Sequence, residues 1–212
     1  EEKQRSKRMP MVKEQRKSFL AMFGPGLLPL IPLYMLLTAF REFRDNFARE
    51  IWDAISVGTS AQVFTLSEVP VAICVLSVLA LASLSKDARR SFFLVYGMMT
   101  AGALMIGLAT LAYQFGLITP MPWMILVGTG LYLAYVPFGC LLFDNLIAMA
   151  RFAGTAGFMI YVCDSFGYLG SVLLMLTKTF ATPNLAWEQF FIGLCYTTAI
   201  VCGSLFIGTW VY

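Results

Sequence analysis

Six runs of about 20 apolar residues recur along this chain, at roughly 20–40, 62–85, 91–113, 121–149, 153–177 and 187–211. Each is long enough as a helix to cross the hydrocarbon core of a bilayer. A backbone in lipid must satisfy its own N–H and C=O groups, which leaves helices or closed barrels. The runs are continuously apolar rather than alternating, so the sequence predicts an all-α, polytopic transmembrane bundle of six spans. Composition agrees: 59% of the 212 residues are hydrophobic, 13% are charged and the mean hydropathy is +0.76. That balance excludes an ordinary soluble domain.

The chain divides into a basic stretch, 1–19, and a six-helix transmembrane domain, 20–212. The first eighteen residues carry seven Lys or Arg against three Glu and no apolar core, which reads as a cytoplasmic arm or interdomain linker rather than a signal peptide. An even number of spans places both termini on one side. The arm, the 86–90 loop and Arg151 hold eleven of the basic residues, and the opposite loops hold four, so the positive-inside rule makes both termini cytoplasmic. The membrane itself is the first partner this chain requires.

Turn and breaker residues fit the scheme. Gly24-Pro25-Gly26 marks the entry to the first span, Pro120 and Pro122 open the fourth, and Pro183-Asn184 turns the chain before the sixth. Thr65-Leu66-Ser67-Glu68 followed by Pro70 has the spacing of a capping box, which starts the second helix there; a start near Ser60 with Glu68 inside the span is equally allowed.

Between Arg41 and Asp53 seven charged residues follow the first span directly. Read as a helix, Phe40, Phe43, Phe47 and Ile51 form an apolar stripe, and Arg41, Glu42, Asp45, Arg49 and Asp53 fall on the other side. Asp45 stands four residues from both Arg41 and Arg49, a spacing that lets two guanidiniums hold it. Arg44 falls on the apolar side, where it must snorkel, line a cavity or meet a carboxylate such as Glu68 or Asp164. As a site, the block offers guanidinium forks to an anionic or zwitterionic solute. As scaffolding, its three Arg and four carboxylates neutralise one another to −1 at the membrane surface.

Asp164 lies near the middle of the fifth span, where an ionised carboxylate costs on the order of 3 kcal/mol. Tyr161, Asp164, Ser165 and Tyr168 follow at i, i+3, i+4 and i+7, so one helix face carries two phenols, a hydroxyl and a carboxyl. Such a face belongs against protein or water. Whether Asp164 carries a proton, binds a cation or pairs with Arg44 stays open at this level. The fourth span repeats the pattern with Tyr132, Tyr135, Pro137, Cys140, Asp144 and Asn145; Asp144 and Asn145 lie toward the cytoplasm, suited to a gate or an inter-helix pair, and Pro137 removes a backbone hydrogen bond in mid-span. Gly128, Gly130, Gly154, Gly157, Gly167 and Gly170 permit close helix packing.

Other classes are disfavoured. The chain contains no histidine, which removes imidazole-ligated metals and haem, and its five cysteines lie singly in apolar segments, as small buried side chains rather than metal ligands. No cofactor is expected. There is no HExxH, GxSxG or Walker loop, and neither Asp144 nor Asp164 has a GxGD context, so the chain reads as a non-enzyme. The short basic arm suits anionic lipid rather than nucleic acid.

The six spans, the basic arm and the Lys86-Asp87-Ala88-Arg89-Arg90 loop resemble the C-terminal half of a major facilitator superfamily transporter. The segments TAFREFRDNFAREIW, LSEVPVA, GLYLAYVPFGCLLFDNLIA and GTAGFMIYVCDSFGYLGSVLL resemble a mainly bacterial, facilitator-like membrane family of unknown function. The resemblance implies a twelve-helix fold to which this chain supplies helices seven to twelve, with a solute cavity between the halves. It implies Asp87 with Arg89 or Arg90 as a cytoplasmic gate pair, although Ser83 and Ala88 stand where the facilitator loop usually has glycines. It also implies an N-terminal six-helix half, either ahead of Glu1 or on a separate chain. The expected activity is secondary transport of a small solute by alternating access, with Arg41, Arg44, Asp45 and Glu68 at the outward end. The rival reading is a non-transporting anchor or assembly subunit of a larger complex.

Overall fold

The computed structural model describes residues 13–56, 60–84, 87–142 and 156–211. Its helices are α1 (Lys13–Asn46), α2 (Ala48–Ile55), α3 (Gln62–Ser83), α4 (Ala88–Gln114), α5 (Pro120–Pro137), α6 (Ala156–Leu176) and α7 (Trp187–Val211). π-helical turns extend α5 through Phe138–Leu142 and α6 through Thr177–Ala181. No strand occurs among the described residues.

Four of these helices, α3, α4, α6 and α7, are long and apolar enough to cross a membrane, and the protein is a multi-pass membrane protein on that count. The expected six spans are thus met at four places among the described residues. α1 runs into the charged block within its last turns, and α5 carries Pro120, Pro122 and Pro137 with the end of the expected 121–149 span outside the described residues. Asp144, Asn145 and Arg151 also lie outside them.

The packing is an arc. α3 lies against α5, α5 against α4, α4 against α7, and α1 packs on α6 and α7. α3 forms the rim, with 17% of its apolar window buried against 44% for α4, and Leu66, Val69, Ile73, Leu76 and Leu81 stand exposed on it. These are side chains suited to acyl chains. The core runs through Leu33, Leu37, Phe40, Phe43, Met99, Trp123, Phe138, Phe191 and Phe206. Where α4 crosses α5, a Cβ on Gly102 would fall 2.5 Å from the Gly130 carbonyl oxygen, so this crossing demands glycine.

α1 is already helical at Lys13 and passes through Gly24-Pro25-Gly26, so these residues do not break the helix. Of the two starts open to the second helix, α3 takes the earlier one, near Ser60: it begins at Gln62, and Glu68 lies inside it, in the second turn. The buried Ser67 hydroxyl donates back to the Phe64 carbonyl at 3.1 Å.

Candidate functional site

The charged block folds as its periodicity requires. Phe40, Phe43 and Ile51 are buried, and Arg49 and Asp53 are exposed and paired at 3.8 Å. The helix is interrupted at Phe47, then continues as α2, whose Ile51 and Trp52 turn into the core. Phe43, Phe47, Trp187 and Phe190 stack into an aromatic cluster joining α1 to α7. Lys178 caps that cluster: it is buried, donates to the Leu185 carbonyl at 2.7 Å and lies 4.5 Å from the Trp187 ring centre.

Arg44 is only 2% exposed, yet it is not stranded. Its Nη2 donates to Glu68 Oε1 at 2.6 Å and its Nη1 to Oε2 at 3.3 Å, a two-pronged contact between α1 and α3. Asp45 Oδ1 stands 3.6 Å from Nη1. Gly128 on α5 makes the space, since a Cβ there would meet Arg44 Nη2 at 2.7 Å. Of the two carboxylates open to Arg44 in the sequence, Glu68 is the partner and Asp164 is not.

Asp45 is not clamped between Arg41 and Arg49. Arg41 turns to Glu42 and stacks 4.6 Å over the Tyr135 ring, and Arg49 turns to Asp53. Asp45 accepts instead from the Tyr132 hydroxyl at 3.1 and 3.2 Å. Lying beyond the first apolar run, Asp45 has its carboxyl pushed above the usual range: burial raises it more than the neighbouring Arg44 lowers it. Arg44, Asp45, Glu68 and Tyr132, with Ala48, Trp52, Phe64 and Met124, line a cavity of about 350 Å³. That is within the size range of small-molecule pockets.

A second polar group begins one turn deeper. Asp164 on α6 accepts a short hydrogen bond from the Tyr34 hydroxyl of α1, and Tyr34 lies 3.3 Å, hydroxyl to hydroxyl, from Tyr135 of α5. Arg41 over Tyr135 closes the string Arg41–Tyr135–Tyr34–Asp164 across three helices. Tyr34 also packs edge-on against Phe138, the first residue of the π-helical turn after Pro137. Such turns recur at functional sites because they let a helix re-aim its side chains. The rest of the α6 face points away from the bundle, with Tyr161 76% and Tyr168 62% exposed and Ser165 exposed beside them. Among the described residues, Asp164 is the member of that face that bonds to another helix.

The gate residues implied by the resemblance are described in part. Asp87 stands just ahead of α4 and its carbonyl accepts from Ser91 N–H at 2.8 Å, a helix-start contact; Arg90 is exposed, and the side chain of Arg89 lies outside what is described. Sequence reasoning missed Tyr34, Trp52, Phe64 and Met124 and saw Gly128 only as packing. A signal for Tyr34 exists: Tyr34, Thr38, Arg41 and Asp45 are spaced four, three and four apart, a polar stripe on an apolar helix. Among the described cysteines, Cys163, Cys195 and Cys202 are buried free thiols, whereas Cys74 on α3 is exposed, against the expectation that all are buried.

A family model described as a family of unknown function, DUF5690, matches residues 1–212. The chain belongs to that family. No curated protein and no solved structure matches it.

Proposed function

We propose that this protein is the membrane domain of a secondary transporter, one six-helix half of a major-facilitator-like carrier that moves a small charged solute by alternating access. One observation carries the reading: the string Arg41–Tyr135–Tyr34–Asp164 joins α1, α5 and α6 and continues into an α6 face whose Tyr161, Ser165 and Tyr168 are exposed among the described residues. Polar groups at this depth persist only beside water or protein. A solute pathway shared with a second six-helix half supplies both. Proton or ion coupling runs through carboxylates in this reading, with Asp164, held by the Tyr34 hydroxyl, at its centre. Both termini lie in the cytoplasm in this reading, and Arg44, Asp45 and Glu68 occupy the outward mouth.

The test is flux. Full-length protein in proteoliposomes is challenged with a panel of labelled amines, amino acids, organic acids and sugars. Saturable uptake of one class, lost in Asp164→Asn and Tyr34→Phe with the folded protein retained, supports the carrier. Co-purification with other membrane proteins at fixed stoichiometry, with no flux for any solute, replaces it with the anchor or assembly role.

A further inference from the structure

We infer that the cavity at the junction of α1, α2, α3 and α5 binds a small molecule through a protonated primary amine, seated between the carboxylates of Asp45 and Glu68. The inference names the substrate chemistry of the mouth and to that extent rests on the carrier reading. Four observations lead to it.

The first is charge. Among the described lining residues the cavity holds one cation, Arg44, and two carboxylates, Asp45 and Glu68, a fixed charge of −1. Arg44 engages both terminal nitrogens, with Glu68 at 2.6 and 3.3 Å and Asp45 at 3.6 Å, and its Nε, which has no partner among the described residues, is buried, so the guanidinium is turned away from an incoming anion.

The second is exposure. Arg44 is 2% exposed while Asp45 is 45% and Glu68 46% exposed, so the acceptors, and not the cation, face whatever enters. The third is the state of Asp45. Its neighbours leave its negative charge under-compensated, since burial outweighs Arg44 and the Tyr132 hydroxyl in setting its protonation. An arriving ammonium relieves that deficit.

The fourth is the rest of the wall. Trp52, Phe64 and Tyr132 line the same cavity as the carboxylates, Tyr132 bonding to Asp45, and aromatic walls in an acidic cavity suit an ammonium that carries an apolar body. An inorganic cation would leave those rings without a role. At about 350 Å³ the space equals on the order of ten water volumes, enough for an aryl-alkyl amine.

Equilibrium binding tests this apart from flux. Isothermal titration of the full-length protein in nanodiscs, with empty nanodiscs subtracted, compares phenethylammonium with 3-phenylpropionate. The two share an apolar body and differ in the sign of the head group. Saturable binding of the amine, at least tenfold tighter than the carboxylate and weakened at least tenfold in Asp45→Asn, is the expected result. Equal binding of the two probes, no saturable amine binding, or an unchanged affinity in Asp45→Asn overturns the inference. Should Asp45→Asn fail to fold, the wild-type comparison of the two probes still decides. Amine binding without amine flux retains the site and removes the carrier; flux of another solute without amine binding does the reverse.

Discussion

Arg44 on α1 and Asp164 on α6 are both ionisable residues of one helix bundle, and the bundle treats them oppositely. Arg44 is sealed, met by a carboxylate through two nitrogens, and given room by a glycine on a third helix. Asp164 is half-buried and held by a phenol that is itself beside a second phenol. A guanidinium that is always charged needs a permanent counter-charge, and once supplied with one it becomes a tie between α1 and α3. A carboxylate whose partner is a neutral hydroxyl keeps a hydrogen bond in either protonation state. The first arrangement fixes geometry, and the second holds its carboxylate through one hydrogen bond to a phenol.

The sharpest way to break this contrast is to neutralise each acid in turn. Glu68→Ala leaves Arg44 buried with only Asp45 nearby, and should lower stability by roughly 2–3 kcal/mol, below the cost of breaking a fully enclosed pair because Glu68 is itself half-exposed. Combining it with Arg44→Met should restore most of the loss, since neither charge then remains uncompensated. Asp164→Asn keeps an acceptor for Tyr34 and should stay within about 1 kcal/mol of wild type. Chemical denaturation in a mild detergent reads all three, and equal losses for Glu68→Ala and Asp164→Asn would erase the distinction.

Gly128 offers the next test. Its Cβ position is filled by the Arg44 guanidinium, at 2.7 Å from Nη2, so Gly128→Ala forces either the tie or α5 to shift and should cost about 1–2 kcal/mol. Gly193 on α7 has open space at the same position, and Gly193→Ala should be neutral or stabilising by up to about 1 kcal/mol from helix propensity. Thermal melts of the two variants side by side separate a specific cradle from general helix packing. Similar melting temperatures would reduce Gly128 to an ordinary small residue.

How much of this was legible beforehand follows the reach of each signal. Apolar run length located α3, α4, α6 and α7 to within a few residues, because hydrocarbon thickness is a constraint written locally in the chain. The 3.6-residue period placed Phe40, Phe43 and Ile51 inside and singled out Arg44 as the residue needing a carboxylate. Periodicity does not say which neighbouring helix supplies it. Glu68 and Asp164 were equal candidates until the packing of α3 and α6 around α1 was known. The i, i+4 rule misplaced Asp45, since Arg41 gained more from the Tyr135 face and Glu42 than from a solvent-facing carboxylate one turn away. Tyr34 was overlooked because a single tyrosine in an apolar helix looks like core until its partner on α6 is seen.

The smallest effect concerns Asp45, the residue between the sealed tie and the open cavity. Its folded-state proton affinity is raised, first by burial, over the opposing pull of Arg44 and Tyr132. A carboxyl that holds its proton more tightly when folded stabilises the folded state at low pH, and that contribution is lost as pH rises from about 4 through its raised value. With the carboxylate 45% exposed, solvent screening keeps the effect below about 1 kcal/mol. The measurement is therefore a difference: stability against pH for wild type minus Asp45→Asn, which cancels the other carboxylates. The difference should fall as pH rises across that window. A difference that rises instead would mean that Arg44 and Tyr132 over-compensate Asp45, which would make it part of the permanent tie and leave Glu68 alone as the acceptor facing the cavity.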